Sequence, residues 1–167
     1  MQFSQFDDFL TNGRDLLAKG PIALIFLEDD TEIDSTLRHH LDAGFKSVLV
    51  FAPDPFPLAP DVAEEVHRIS FDRTRGDDYV TAINKIIPLA AGQWLYYCFN
   101  AEYLFYPFCE TRNVAELLAF HAEERRDAML SYVVDLYADD LDRFPNAVSL
   151  ETALLDRTGY YALARLD

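Results

Sequence analysis

Two oxygen-bearing side chains, Asn100 and Glu102, interrupt a long hydrophobic stretch of the chain. Residues 94–99 before them are all apolar or aromatic, and hydrophobic residues resume at once after Glu102. Such a run predicts a buried strand in a central position of the sheet, covered on both faces as in an α/β fold. Ligands bind at the carboxyl ends of central strands in such sheets, and oxygen ligands two residues apart suit Mg²⁺ or Mn²⁺. The alternative is a loop in which both side chains face solvent.

A second polar group, Glu28-Asp29-Asp30, follows the first strongly apolar segment of the sequence. A carboxylate at the end of a strand can accept hydrogen bonds from the base or ribose of a nucleotide. The alternative is that these acids only decorate a helix N-terminus, where the dipole favours anions. Both interpretations are kept for Glu28, and the second is preferred for Asp29.

Arg73 and Arg75 flank a glycine-bearing loop ahead of a predicted helix. Guanidinium groups and helix N-termini both favour phosphate, so this loop is a candidate phosphate contact. The alternative, surface charge balance in an acidic protein, is preferred for the two arginines.

Several familiar kinds of catalytic site are disfavoured. His39 and His40 are adjacent, so on a helix they point about 100° apart and cannot share a metal ion. His67 and His121 supply no i, i+4 ligand pair, and no serine lies in a nucleophile-elbow motif. Cys98 and Cys109 have no metal-ligand spacing, and two cysteines indicate no disulfide framework.

Strands and helices alternate along the chain. Apolar runs predict strands at 21–27, 47–51, 66–71, 94–99 and 128–136, and helical patterns or caps predict helices at 3–19, 31–43, 79–90, 113–126 and 148–155. Residues 52–60 are a proline-rich loop. The alternation predicts an α/β fold with a mostly parallel central sheet and helices on both faces. We expect a single domain over 1–167, with its core at about 21–140 and a C-terminal extension at 141–167.

The amino-acid composition of the chain disfavours some classes of binding partner. The 167 residues are half hydrophobic and carry a formal charge of −15, which argues against nucleic acid as a partner. The same charge repels an anionic ligand unless a metal ion or local arginines offset it. No signal peptide is visible at the start and no apolar run has the length of a transmembrane segment, so we expect a cytoplasmic protein.

Taken in order, three segments resemble the nucleotide-binding half of the family 2 glycosyltransferases, which have the GT-A fold. Residues 25–45 resemble the opening strand and the following Glu-Trp-Leu-x-x-His-x-x-x-Gly run, and residues 78–94 resemble an Ala-x-Asn…Ala-x-Gly-x-Trp run. The triplet 100–102 falls where the family has its metal-binding Asp-x-Asp motif, and residues 133–137 resemble a segment further downstream.

The resemblance implies transfer of a sugar from a nucleotide-sugar donor to the hydroxyl of an unknown acceptor. It implies a divalent cation, Mg²⁺ or Mn²⁺, held by Asn100 and Glu102. The residues it implies for nucleotide-sugar binding are Glu28, Asp30, Asp54, Arg75 and Asn84, and the candidates for the general base are Asp139 and Asp140.

Asn100 replaces the first carboxylate of the motif, which weakens metal binding. The alternative is therefore a non-catalytic GT-A-like binding or assembly module; a flavodoxin-like or other Rossmann-type protein is disfavoured because no glycine-rich loop follows the first strand.

Overall fold

The computed structural model describes residues 1–72, 74 and 78–155. The chain divides into two compact units, Met1–Arg125 and Arg126–Asp167. The first unit contains a sheet of five strands, which are β1 Gln2–Phe3, β2 Ile22–Phe26, β3 Ser47–Ala52, β4 His67–Ser70 and β5 Leu95–Phe99.

The strand order is β1-β4-β3-β2-β5, and every neighbouring pair is parallel. The chain runs outward from β2 through β3 to β4, and then returns to form β5 on the opposite side of β2. The order of the strands therefore reverses between β2 and β5. The predicted α/β fold with a parallel sheet is confirmed, and the arrangement is Rossmann-like.

Helices cover both faces of this sheet, as predicted. One face carries α1 Phe6–Asn12 and α4 Tyr79–Ile86, together with 3₁₀ helices at Arg14–Leu17 and Ile87–Ala90. The other face is covered by α2 Ile33–Asp42, α3 Pro60–Glu65 and α5 Val114–Glu123.

Strand β2 lies in the middle of the core. Ile22, Leu24 and Phe26 point into the layer beneath α1 and α4, and Ala23 and Ile25 point into the opposite layer. This alternation follows from the two-residue period of a strand. All five residues are buried, and a fully buried Leu, Ile or Phe contributes about 1.5–3 kcal/mol to folding.

Two expectations for the N-terminal half are wrong. The helix predicted over 3–19 is instead β1, α1 and a 3₁₀ helix: Phe3 is buried in the strand beside β4, and α1 ends at Gly13. The proline-rich loop ends earlier than predicted because Pro60 begins α3, where its missing N–H costs no hydrogen bond.

Pro88 also changes the form of the next helix. The helix predicted over 79–90 is α-helical only to Ile86, and Pro88 lies in the first turn of the 3₁₀ helix that continues it. Proline lacks the N–H that an α-helix interior requires, which is why the pattern changes here.

The second unit departs furthest from the predictions. The strand predicted at 128–136 and the helix predicted at 148–155 are wrong; within its described residues, 126–155, the regular structure is an antiparallel pair, β6 Leu136–Tyr137 and β7 Leu154–Leu155. The apolar side chains that suggested a strand are exposed, Leu130 by 78%. Across the described parts of the chain, no helix combines the length and the apolar character needed to cross a membrane.

Candidate functional site

The carboxyl ends of β2 and β5 form the candidate site, which we call the switch-point crevice: residues 28–31 after β2 and residues 100–102 after β5. In open α/β sheets, ligands bind where the strand order reverses.

The expectation that β5 is a central strand is wrong, because it lies at the edge of the described sheet and Tyr97 is 53% exposed. Aromatic residues suit half-exposed strand positions as well as buried ones, so the apolar run did not distinguish the two.

Asn100 joins the two strand ends through its side-chain amide. Its Oδ1 accepts a hydrogen bond from the backbone N–H of Glu28 at 2.8 Å. Its Nδ2 donates to Asp29 Oδ1 at 2.6 Å and to the carbonyl oxygen of Thr31 at 3.0 Å. One side chain thereby links β5 to three of the four residues 28–31 in the loop after β2, all except Asp30.

Glu102 folds back onto its own turn. Its Oε2 accepts the backbone N–H of Phe99 at 2.9 Å, and its own N–H donates to the carbonyl of Phe99 at 3.3 Å. Between these residues, Ala101 has φ of +59°, a left-handed conformation that costs a non-glycine residue about 1–2 kcal/mol. The turn is therefore stabilised by contacts with its surroundings.

Helix α2 supplies the contact that holds Ala101. Thr36 is fully buried, and its Oγ1 accepts the Ala101 N–H at 2.9 Å. The same hydroxyl donates to the carbonyl of Glu32 at 2.6 Å, so both its donor and its acceptor function are used.

Two further contacts attach the segment after Glu102 to α2. Ser35 and Tyr103 share a hydrogen bond between their hydroxyl groups at 2.8 Å, and a ring nitrogen of His39 lies 2.9 Å from the carbonyl of Leu104. Sequence reasoning missed the roles of Thr36, Ser35 and Tyr103, because side-chain contacts about 65 residues apart leave no local pattern.

Asp29 has a defined role that goes beyond helix decoration. The Thr31 N–H donates to Asp29 Oδ1 at 2.9 Å, and this bond, assisted by the Asn100 amide, holds the pKa of Asp29 below its ordinary value. The carboxylate is therefore ionised at neutral pH and already accepts two N–H donors. The Asp-x-Thr spacing, which is typical of an Asx turn, is a sequence signal that could have predicted the bond to Thr31.

A buried cluster of polar side chains lies on the α2 side of β5. His40 and Cys98 are within 3.7 Å through Nε2 and Sγ, and His40 Nδ1 lies 2.8 Å from the carbonyl of Thr36. Tyr96 stacks on the His40 ring. Burial lowers the pKa of His40 to about 4 and raises the pKa of both Cys98 and Tyr96, so all three are neutral at pH 7.

The predicted nucleotide-sugar-binding residues are not all brought to one place. Glu28 and Asp30 are exposed in the crevice, and Asn84 is exposed on α4. Asp54 accepts a hydrogen bond from the Arg68 guanidinium at 2.7 Å, and the same guanidinium donates to the carbonyls of Pro53 and Phe56. Asp54 thus helps to anchor the proline-rich loop.

Arg73 and Arg75 fall outside the described residues. The predicted general-base candidates, Asp139 and Asp140, belong to the second unit. Asp139 Oδ1 accepts the Thr152 hydroxyl at 2.7 Å. Asp140 Oδ1 accepts the backbone N–H groups of Asp142 and Arg143 at 2.9 and 3.1 Å. Asp140 thereby stabilises a local turn, and Asp139 links the chain to a residue thirteen positions further on.

The hydrogen bonds of the crevice do not fit a bound Mg²⁺ or Mn²⁺. The Asn100 amide directs one N–H at Asp29, the carboxylate with which it would have to share a cation, and the other at the Thr31 carbonyl. Glu102 uses one carboxylate oxygen on a backbone N–H. Over residues 1–72, 74 and 78–155, no three His, Cys, Asp or Glu side chains are grouped so that they could hold a metal ion.

Comparisons with protein-family models, with curated proteins and with solved structures gave no match to this chain.

Proposed function

We propose that this chain is a GT-A-like, glycosyltransferase-related module that binds a nucleotide-sugar at the switch-point crevice without transferring the sugar. The observation that carries the proposal is the reversal of strand order between β2 and β5, with Glu28 and Asn100 at the ends of these two strands. Such a reversal is where nucleotides bind in open α/β sheets. The ordered resemblance of residues 25–45, 78–94 and 100–102 to the family 2 glycosyltransferases selects nucleotide-sugars among nucleotides.

The chemistry of the crevice suits the nucleoside end of such a ligand. Glu28 and Asp30 are exposed carboxylates, and carboxylates accept hydrogen bonds from ribose hydroxyls and from base N–H groups. A diphosphate is opposed by the net charge of −15. The sequence offers Arg75 as a guanidinium that would offset part of this repulsion.

Two features argue against turnover. Sugar transfer needs a group that stabilises the leaving diphosphate and a base that deprotonates the acceptor hydroxyl. Asn100 and Glu102 are hydrogen-bonded within the crevice. The carboxylate of Asp140 accepts N–H groups of its own turn, and that of Asp139 accepts the Thr152 hydroxyl. The carboxylate of Glu102 and the polar residues at the strand ends favour an active transferase, which is the second candidate function.

Isothermal titration calorimetry with UDP-, GDP- and TDP-sugars tests the proposal. We expect one nucleotide class to bind and Glu28→Gln to weaken it by roughly tenfold, the loss of about one charge-assisted hydrogen bond. Glu64→Gln removes an equal charge from an exposed position on α3 and should leave binding unchanged. Because the net charge repels the diphosphate, affinity should rise between about 20 and 150 mM NaCl.

A transfer assay separates the two candidate functions. Release of nucleoside diphosphate that depends on Mn²⁺ and disappears in Glu102→Ala would establish the transferase. Absence of binding to every nucleotide-sugar would refute both.

A further inference from the structure

We infer that the Asn100 amide occupies the place of a divalent cation in the switch-point crevice, so that this site works without Mg²⁺ or Mn²⁺. The inference deepens the proposed function and rests on it for the identity of the ligand. The exclusion of a cation by the fixed amide does not depend on the ligand, because it is argued only from residues of this chain.

The orientation of the amide is determined by its partners. The Glu28 N–H is only a donor, so it requires the amide oxygen, and Asp29 and the Thr31 carbonyl are only acceptors, so they require the NH₂ group. If the amide were rotated by 180°, its NH₂ group would face the Glu28 N–H, and its oxygen would face the Asp29 carboxylate and the Thr31 carbonyl. Both N–H donors of Asn100 are therefore engaged inside the protein.

This arrangement competes directly with a metal ion. A cation coordinated by Asp29 Oδ1 would meet the partly positive NH₂ group, which lies 2.6 Å from that oxygen. The Asn100 oxygen, the atom that would coordinate a metal, already accepts the Glu28 N–H at 2.8 Å. Glu102 is tied by one oxygen to the Phe99 N–H. A cation that used the Asn100 oxygen and Asp29 Oδ1 would therefore have to displace the hydrogen bonds that these two atoms make.

The same geometry explains why the position of the first aspartate of an Asp-x-Asp motif holds asparagine. A carboxylate at position 100 would bring two negative charges to hydrogen-bond distance of each other and leave the Thr31 carbonyl without its donor. The pairing needs the acid at position 29 and the amide at position 100, because Asp29 Oδ1 accepts two N–H groups and the Thr31 carbonyl requires a donor.

Thermal unfolding of four proteins at pH 7 in EDTA tests the pairing: wild type, Asn100→Asp, Asp29→Asn and the double variant. We expect Asn100→Asp to lower Tm by roughly 3–8 °C, because an N–H donor is lost and two carboxylates face each other. The double variant removes the repulsion between two carboxylates but leaves the Thr31 carbonyl without its donor, so it should recover only part of that loss. Asn84→Asp adds the same charge at an exposed site on α4 and should change Tm by less than about 2 °C.

The second arm repeats the measurement with 1 mM Mn²⁺. Asn100→Asp should be stabilised by Mn²⁺, since it presents facing carboxylates, whereas wild type should not. A Mn²⁺ response of wild type that Glu102→Gln abolishes would overturn the inference. If Mn²⁺ raised the Tm of wild type and of Glu102→Gln equally, the ion would be binding elsewhere on this acidic surface, and the inference would stand. An Asn100→Asp variant as stable in EDTA as wild type would also overturn it.

Nucleotide-sugar binding in EDTA and in Mn²⁺ separates this inference from the proposed function. Equal affinity under both conditions supports both. Binding only with Mn²⁺ overturns the inference and leaves the proposed function standing. Binding under neither condition refutes the proposed function, while the Mn²⁺ response of the ligand-free protein still decides the role of Asn100.

Discussion

His40 shows how burial determines the chemistry of a single residue in this protein. The ring is fully buried between Tyr96, Cys98 and Phe45, with His39 as its neighbour on α2. Its Nδ1 faces the Thr36 carbonyl, so the proton lies on Nδ1, and Nε2 is left to accept from the Cys98 thiol. The pair is a neutral hydrogen bond in the core; a reactive thiolate is disfavoured because burial raises the pKa of Cys98.

We expect the free energy of unfolding to fall between pH 6.5 and pH 4 because of His40. Its pKa is about 4 in the folded protein and near 6.5 when unfolded, so the unfolded state binds the proton first and is favoured as the pH drops. The loss at pH 4 is about 3 kcal/mol, from 1.36 kcal/mol per pKa unit. Urea unfolding across this range measures it, and His40→Gln should show a correspondingly shallower decline.

His39→Gln is the matched control for this prediction. His39 lies beside His40 on α2 but is only partly buried, so its replacement should preserve the steep decline. Parallel pH profiles for wild type and His40→Gln would contradict the assignment, because the carboxylates that also titrate there are common to both.

At the scale of elements, the C-terminal end of α2 and the N-terminal end of α5 stabilise each other. The chain leaves α2 through Gly44 at φ of +91°, and the Ala43 carbonyl accepts the Val114 N–H at 2.9 Å. Asn113 and Glu116 form a capping box, in which each side chain accepts the backbone N–H of the other at 3.0 and 3.1 Å. The Asn-x-x-Glu spacing at 113–116 and a glycine just after α2 are residue choices that helix ends favour.

Asn113→Ala should lower the free energy of unfolding by about 1 kcal/mol, the usual cost of removing a helix N-cap. Guanidinium denaturation measures this loss. Glu110→Ala changes a nearby exposed residue that lies before the helix and should change stability by less than about 0.5 kcal/mol. Equal losses in the two variants would mean that α5 does not depend on its cap.

At the scale of the whole molecule, net charge dominates the electrostatics. The chain carries 29 acidic and 14 basic residues, a formal charge of −15. The ion pairs recorded among the described residues, such as Arg68–Asp54 and Arg112–Glu116, are all partly solvent-exposed. Exposed ion pairs typically contribute only about 0–1 kcal/mol each. Repulsion among the surplus carboxylates therefore outweighs them.

We consequently expect Tm to increase as NaCl is raised from about 10 to 150 mM, since the screening length falls from about 30 to 8 Å. Differential scanning fluorimetry measures the change, and choline chloride at equal ionic strength should reproduce it. A Tm that falls with salt would show that attractive ion pairs contribute more than the net charge.

The sequence by itself determined the kind of element at most positions of the first unit. Apolar runs predicted β2 to β5 to within one or two residues, and Gly44 and Asn113 marked the boundaries of α2 and α5. These features depend on side-chain periodicity and backbone preference, which act over a few residues. They also sufficed to predict a parallel α/β sheet.

Only the tertiary structure decided which strand lies at the edge and what the polar side chains of the crevice bind. The apolar run of β5 suited a central strand and an edge strand equally, and the pairing of β1 with β4 joins segments far apart in the sequence. Asn100 and Asp29 are 71 positions apart, so no local pattern reveals that the amide of one faces the carboxylate of the other. An amide both donates and accepts hydrogen bonds, and the groups that the fold places beside it select which of its atoms is used.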